Sequence, residues 1–243
     1  MVFAITLIGI VVFDRSRAIR SRVLASFCFI PLFLLIFSTQ SRATFGALIV
    51  GLAIVFANRK KVFLFFLIIV AVAVMYSPVK NRFYAMYDSP PDIRLAMTLT
   101  AIEVVKDYPI TGIGYGHGIY YSKIDVDGYS NRLPERYRPK TALYKEPHNG
   151  PINIAVKTGI VGLALYLGII VIFLKICIHL VREGKSWFVK NYARAVLGGF
   201  VSFLFTGLFE PAYAYVPTGV FFLILSMGTI LDRLNREENE AIK

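Results

Sequence analysis

Cysteine is nearly absent from this chain: Cys28 and Cys177 are the two in 243 residues, and both fall inside apolar runs. That excludes a disulfide framework and gives no support for thiol chemistry. Histidine is almost as scarce, with only His117, His148 and His179, so imidazole chemistry has few places to sit. The chain has no internal repeat and no low-complexity tract. Charge is sparse at 17% of residues and is missing altogether from runs such as Val62–Met75. Apolar residues fill the gap. They make up 56% of the chain, and the mean hydropathy is +0.62, well above a globular norm. Length alone would suggest one or two soluble domains, but this composition argues for a membrane protein.

A bilayer core about 30 Å thick takes roughly 20 apolar residues per helix, fewer where the ends snorkel. Seven segments qualify: Val2–Phe13, Val23–Phe37, Ala43–Ala57, Val62–Tyr76, Ile152–Ile178, Ala195–Phe209 and Val216–Leu231. The first could be a signal peptide, but it lacks a basic leader and runs into a basic loop where a cleavage site should be. It reads instead as the tail of a membrane helix. The net charge of +12 follows topology rather than nucleic acid. Arg15, Arg17, Arg20 and Arg22 fill one short loop, and Arg59, Lys60 and Lys61 fill another. The positive-inside rule makes both cytoplasmic, together with the connection holding Arg182, Lys185, Lys190 and Arg194.

The expected fold is therefore all-α: a polytopic transmembrane bundle of about seven helices with one large, partly helical extracytoplasmic loop. It divides into N-terminal membrane helices (1–76), the loop (77–152), C-terminal membrane helices (153–231) and a cytoplasmic tail (232–243). A loop this long is expected to be folded and functional. Within it Asp92–Lys106 reads as a helix, opened after Pro90 and Pro91 and stopped by Tyr108-Pro109. The four-glycine run Thr111-Gly-Ile-Gly-Tyr-Gly-His-Gly118 reads as a turn, and residues 119–147 as irregular chain punctuated by Pro134, Pro139 and Pro147.

The residues that could carry chemistry converge on the outer side. Arg42, after Ser41, stands at the outer mouth between two membrane helices, where an arginine either snorkels or is paired and functional. Arg94 falls in the first turn of the loop helix. There the macrodipole disfavours a cation unless an anion is shared with it, although a solvated surface arginine would look the same. Gly112, Gly114 and Gly116 could cradle a phosphate through backbone N–H groups or simply make a tight connection. His148 is the sharpest candidate, because imidazole suits general-base work on a sugar hydroxyl; a packed loop histidine is the bland alternative. His117 is second choice as base, and His179 reads as a membrane-edge residue. Asn149 could orient a ligand or cap the next helix. Glu210, at the outer end of the sixth segment, could pair with a site arginine. Asp125-Val-Asp127 looks like a metal motif of nucleotide-sugar transferases, but so short a match arises by chance and the outer side lacks such donors. Nine of the fourteen tyrosines lie in 77–152, either to stack on sugar rings or as an aromatic belt.

Together these elements resemble the O-antigen ligase and polymerase family. The likeness rests on Ser41-Arg42 after an apolar helix and on Arg94 opening a helix that ends in Asp107-Tyr-Pro-Ile-Thr-Gly-Ile-Gly-Tyr-Gly116. Its third element is His148-Asn149 ahead of Thr158-Gly-Ile-Val-Gly162. It spans about Val23 to Leu231. The resemblance implies a multi-pass glycosyltransferase of the bacterial inner membrane. Its donor would be a polyprenyl-diphosphate-linked glycan, and its acceptor a glycan or a lipid A-core type molecule. His148 would be the general base or would orient the acceptor. Arg42 and Arg94 would bind the diphosphate. No metal or other cofactor is expected. Family members usually carry ten or more membrane helices, so the resemblance also implies that N-terminal helices are missing here, which a membrane partner could supply. The rival readings are a polysaccharide flippase or transporter, and a non-catalytic truncated partner that binds the glycan lipid. A transporter would place polar residues near the bilayer midplane and break its helices there.

Overall fold

The computed structural model describes residues 2–13, 18–39, 41–76, 93–116, 118–139, 146–209 and 215–240. The described residues are helical wherever they form regular structure, with no strand among them, so the chain is all-α. In order the helices are α1 (Val2–Phe13), α2 (Ile19–Thr39), α3 (Arg42–Val55), α4 (Lys60–Tyr76), α5 (Ile93–Asp107), α6 (Ile119–Lys123), α7 (Val126–Asn131), α8 (Gly150–Glu183), α9 (Trp187–Gly207) and α10 (Tyr215–Glu240). A 3₁₀ turn at Glu135–Tyr137 lies between α7 and α8.

Each of the seven apolar segments lies largely on a helix. Among the described residues, α2 (over Ile19–Ile36) and α8 are long and apolar enough to cross a membrane, and α3 is a shorter apolar helix. Both long helices expose their apolar side chains: Leu24, Phe27, Ile30 and Leu34 on α2, and Ile160, Leu165 and Ile172 on α8. In water such a surface would be strongly unfavourable, at roughly 25 cal/mol per Å²; against lipid it is the expected outer face.

The chain forms two compact units. One takes the described residues of Met1–Ala85, Ile172–Thr206 and Gly219–Lys243; the other takes those of Met86–Val171 and Gly207–Thr218. In the first unit α1, α2 and α3 pack on one another and α3 on α4. Phe45, Leu48, Leu52 and Val55 fall three and four residues apart on α3, so one stripe of that helix faces the core with Ile5, Ile36 and Phe66. Opposite small residues, α3 and α9 approach until backbone meets backbone. A Cβ on Gly198 would lie 2.9 Å from the Gly51 carbonyl oxygen, and one on Gly51 would run into Ser202 Oγ. The Ser202 hydroxyl is buried 2.7 Å from the Ala47 carbonyl and 2.8 Å from that of Gly198. Small residues four apart on each helix let the two backbones come this close.

In the second unit the expected helix at Asp92–Lys106 is α5, found at Ile93–Asp107; Asp92, Pro90 and Pro91 lie outside the described residues. The irregular chain expected over 119–147 is corrected in part. Residues 119–123 and 126–131 are short helices. Tyr120, Ile124, Val126 and Tyr129 bury apolar surface with Met97, Ala101 and Val104 of α5. That burial supplies what one or two helical turns cannot supply alone. Asp125 has a local role in this, since its side chain accepts the Gly128 N–H at 3.0 Å and caps α7.

Candidate functional site

Local backbone geometry fixes the polar unit. Gly159 sits at φ 65°, ψ −167° and interrupts α8 after its first turns. An unbroken helix would send the Ile160 N–H to the Val156 carbonyl. Instead Ile160 donates to Pro109 O (2.8 Å), Val156 O accepts from Ile113 (2.9 Å), and Lys157 O accepts from Gly114 (3.0 Å). The glycine turn after α5 and the break in α8 thus satisfy each other's backbone groups. Glycine is required on both sides. Gly112 lies at φ 66° and Gly159 at φ 65°, and a Cβ at either would collide with the facing backbone, at Val156 O and Ile110 O respectively.

This packing bears on the phosphate-cradle reading of the glycines. The N–H groups of Ile113 and Gly114 are committed to α8, and Lys123 Nζ donates to the Ile113 carbonyl at 3.0 Å. Gly116, at the far end of the run, lies half-buried with open space where a Cβ would be. Arg94 is exposed as the second residue of α5. At 1.5 Å of rise per residue it lies about 20 Å from Asp107 at the other end, so Arg94 and the glycine turn belong to opposite ends of α5.

Beside the turn, Lys157 is a buried cation. Its side chain is 7% exposed, and Nζ lies 2.8 Å from Glu146 Oε2. The same carboxylate oxygen accepts the Asn153 side-chain amide at 3.1 Å. Burial, and then the charge of Glu146, push the Tyr121 hydroxyl up to about 12. Tyr120 is raised as well, first by its own burial and then by Tyr121 and Glu146. Tyr115 stands 65% exposed on the glycine turn, with Lys157 Nζ 5.6 Å from its ring centroid.

His148 is half-buried between two anchored neighbours. On one side Pro147 is buried and Glu146 is held by Lys157 and Asn153. On the other side Asn149 caps α8, its Oδ1 accepting the Ile152 N–H (3.1 Å) and its carbonyl accepting the Asn153 N–H (2.9 Å). The Asn149 amide nitrogen donates to Leu208 O at 3.3 Å. Of the two roles open to Asn149, capping is the one observed.

A second polar cluster ties α7 to the end of α5. Asp107 accepts from the Tyr129 hydroxyl and from Arg132, each at 2.7 Å. The Tyr129 bond first, then Arg132, hold its carboxyl below the usual carboxylate range. Arg132 also stacks 4.2 Å from the Tyr129 ring centroid.

Ser41 and Arg42 belong to the other unit. Ser41 caps α3, its hydroxyl accepting the Thr44 N–H at 3.4 Å, and Arg42 is the exposed first residue of that helix. Arg42 and Arg94 therefore share one setting, the first turn of a helix, where an anion is favoured and a lone cation is not. His117 and Glu210 lie outside the described residues. Sequence reading missed Glu146, Asn153 and Lys157. The signal was present, because a lysine inside the apolar segment Ile152–Ile178 merits the attention given to Arg42 under the rule for ionisable residues at membrane depth.

Long helices that expose apolar side chains, as α2 and α8 do, fit a membrane protein. The O-antigen ligase family model matches residues 27–167, more than half of the chain, and the chain belongs to that family. The match takes in Ser41, Arg42, Arg94, the glycine turn, His148, Asn149 and Lys157. This is a family of membrane proteins of surface polysaccharide biosynthesis, with ligase- or glycosyltransferase-like activity on glycan and lipid-linked substrates. No curated protein matches the sequence.

Proposed function

We propose that this protein transfers or polymerises a glycan from a polyprenyl-diphosphate donor onto an acceptor hydroxyl at the outer face of the bacterial inner membrane. The observation that carries this reading is the bracing of His148 from both sides. An imidazole held there can take the acceptor's proton on a ring nitrogen while the acceptor oxygen bonds to the anomeric carbon. The bond from that carbon to the diphosphate oxygen breaks, and its electron pair leaves with the lipid diphosphate. Arg42 and Arg94 meet the charge that develops there, a task suited to guanidinium groups in helix first turns. Gly116 and Tyr115 offer the donor or acceptor sugar an open stretch of backbone and an exposed ring. In this reading α1–α4 and α8–α10 span the membrane and residues 77–152 face outward.

The broken helix α8 invites the transporter reading, since transporters bind cargo with the backbone freed at such breaks. Here the carbonyls of Val156 and Lys157 and the N–H of Ile160 are already bonded to the glycine turn. That occupancy favours the enzyme. The test is expression in the chain's own host deleted for the gene, with surface polysaccharide resolved on gels. The wild type restores long or ligated glycan, and Arg42→Ala, Arg94→Ala and His148→Ala do not. A His148→Ala strain with a normal polysaccharide ladder points instead to a non-catalytic partner. Reporter fusions after Tyr76 and before Ile152 check the sidedness, and a cytoplasmic signal from either overturns it.

A further inference from the structure

Apart from the residues assigned to glycan transfer, the chain between α5 and the glycine turn presents an apolar surface outward. Ile110 is 63% exposed, and Tyr108 is exposed two residues before it. Leu95 and Ile102, seven apart on α5, are exposed as well, on the side away from the buried Met97, Ala101 and Val104.

Helix α8 shows what lies against this surface. Asn153, Ile154, Ala155, Val156 and Lys157 are buried within the unit, whereas Ile160, Val161, Leu165 and Leu167 are exposed. The exposed stretch belongs to a helix long and apolar enough to cross a membrane. The change falls at Gly159, where the chain after α5 is pinned. Pro109 O accepts the Ile160 N–H at 2.8 Å, and the Ile110 carbonyl fills the space that a Gly159 Cβ would need. Ile110 is therefore level with the first uncovered side chains of α8, and its exposed surface continues theirs.

Non-helical backbone tolerates lipid depth only where its polar groups are bonded within the protein. Here Tyr108 N–H bonds Val104 O, Pro109 has no N–H and gives its carbonyl to Ile160, and the N–H groups of Ile113 and Gly114 bond α8. Charge limits the depth. Lys106, paired with Glu103, and Asp107, paired with Arg132, come just before the turn. They belong among headgroups, where a lysine snorkels and a tyrosine such as Tyr108 is favoured.

We infer that this turn docks on the lipid bilayer, with Ile110 among the acyl chains beside Ile160 and Val161 and with Tyr108 at headgroup level. Which leaflet it meets rests on the proposed topology, which makes it the outer one. The glycine turn then starts at the height of the headgroups. A donor held by a polyprenyl tail reaches it by moving sideways in the bilayer, without lifting its diphosphate into water.

Tryptophan emission reads this depth. Trp187 is the chain's single tryptophan, so in a Trp187→Phe background Ile110→Trp, Tyr108→Trp and Leu165→Trp each place one reporter. The full chain is reconstituted in phosphatidylcholine nanodiscs whose acyl chains carry bromine near the glycerol end or near the methyl end, and is also exposed to aqueous iodide. Ile110→Trp should lose at least half of its emission to bromine near the glycerol end, less to bromine near the methyl end, and little to iodide. Tyr108→Trp should show the same order more weakly, and it carries the test should Ile110→Trp fail to fold. Leu165→Trp should be quenched by both lipids. Quenching of the two turn reporters by iodide and by neither lipid overturns the inference. So does protection from iodide and lipid alike, which would mean that protein covers the turn. A Leu165→Trp reporter untouched by brominated lipid overturns it too, because α8 then meets no bilayer. Bromine reads depth in either leaflet, so a failure of the proposed sidedness in the reporter fusions is told apart from a failure of this docking.

Discussion

The two units of this protein hold together by opposite means. In the unit containing α1–α4, the close contact between α3 and α9 depends on the smallness of Gly51, Gly198 and Ser202, and the core is a continuous apolar stripe. In the unit containing α5–α7, the fold turns on exchanged backbone hydrogen bonds across Gly112 and Gly159 and on the buried pair Lys157–Glu146. The first should be sensitive to volume and tolerant of lost polarity. The second should be sensitive to lost polarity, because each missing partner strands a buried group. Directional bonds fix side-chain placement, and His148 sits between two residues, Glu146 and Asn149, that make them.

The largest expected effect separates activity from stability. His148→Ala should lower glycan transfer by about 10²–10⁴-fold, the usual range for a lost general base, while the protein keeps the wild-type melting temperature in detergent. An equal fall in both would make His148 part of the scaffold. Next, Lys157→Met should destabilise by about 3 kcal/mol, towards the low end for breaking a buried pair because Glu146 is partly exposed. Pairing it with Glu146→Gln should recover part of that loss. A double variant worse than the single would show that the two charges are not coupled.

In the apolar unit the ranking should reverse. Gly51→Leu should cost roughly 1–3 kcal/mol by forcing α3 from α9, and Ser202→Ala about 1 kcal/mol for its hydrogen bond. If Ser202→Ala proved the costlier of the two, the contrast between volume and polarity would fail. The smallest effect is expected at the surface. The folded-state carboxyl of Asp107 is lowered. Its stabilising contribution is therefore intact above the ordinary carboxylate pKa and is lost as pH falls through the lowered value. Asp107→Asn should flatten the acid limb of the stability profile by removing a small contribution at neutral pH while leaving the most acid end unchanged, as denaturation monitored across pH would show.

The apolar unit was the more legible in sequence, because uninterrupted apolar runs such as Val62–Met75 lie on helices and α3 repeats its core positions at helical spacing. Helix α5 was found to within a residue, since Pro109 marks its end. The chain after His117 was harder to read. Short helices such as Val126–Asn131 gain their stability from burying Tyr129 and Val126 against α5, which no local pattern announces. The site was legible by residue type but not by partnership. His148 and Asn149 were apparent, yet the ion pair that braces them joins Glu146 to Lys157 across eleven positions. The glycines showed that a tight turn was needed, but not that Ile113 and Gly114 would donate into a broken α8.

The central claim is glycan transfer assisted by His148, and one measurement meets it directly. The purified chain in lipid nanodiscs would be given a polyprenyl-diphosphate-linked glycan and an acceptor, with release of lipid diphosphate followed against glycosylated acceptor. The account predicts one lipid diphosphate released per glycosidic bond formed by the wild type, and both products formed about 10²–10⁴-fold more slowly by His148→Ala. Release and transfer at the wild-type rate by His148→Ala would contradict it.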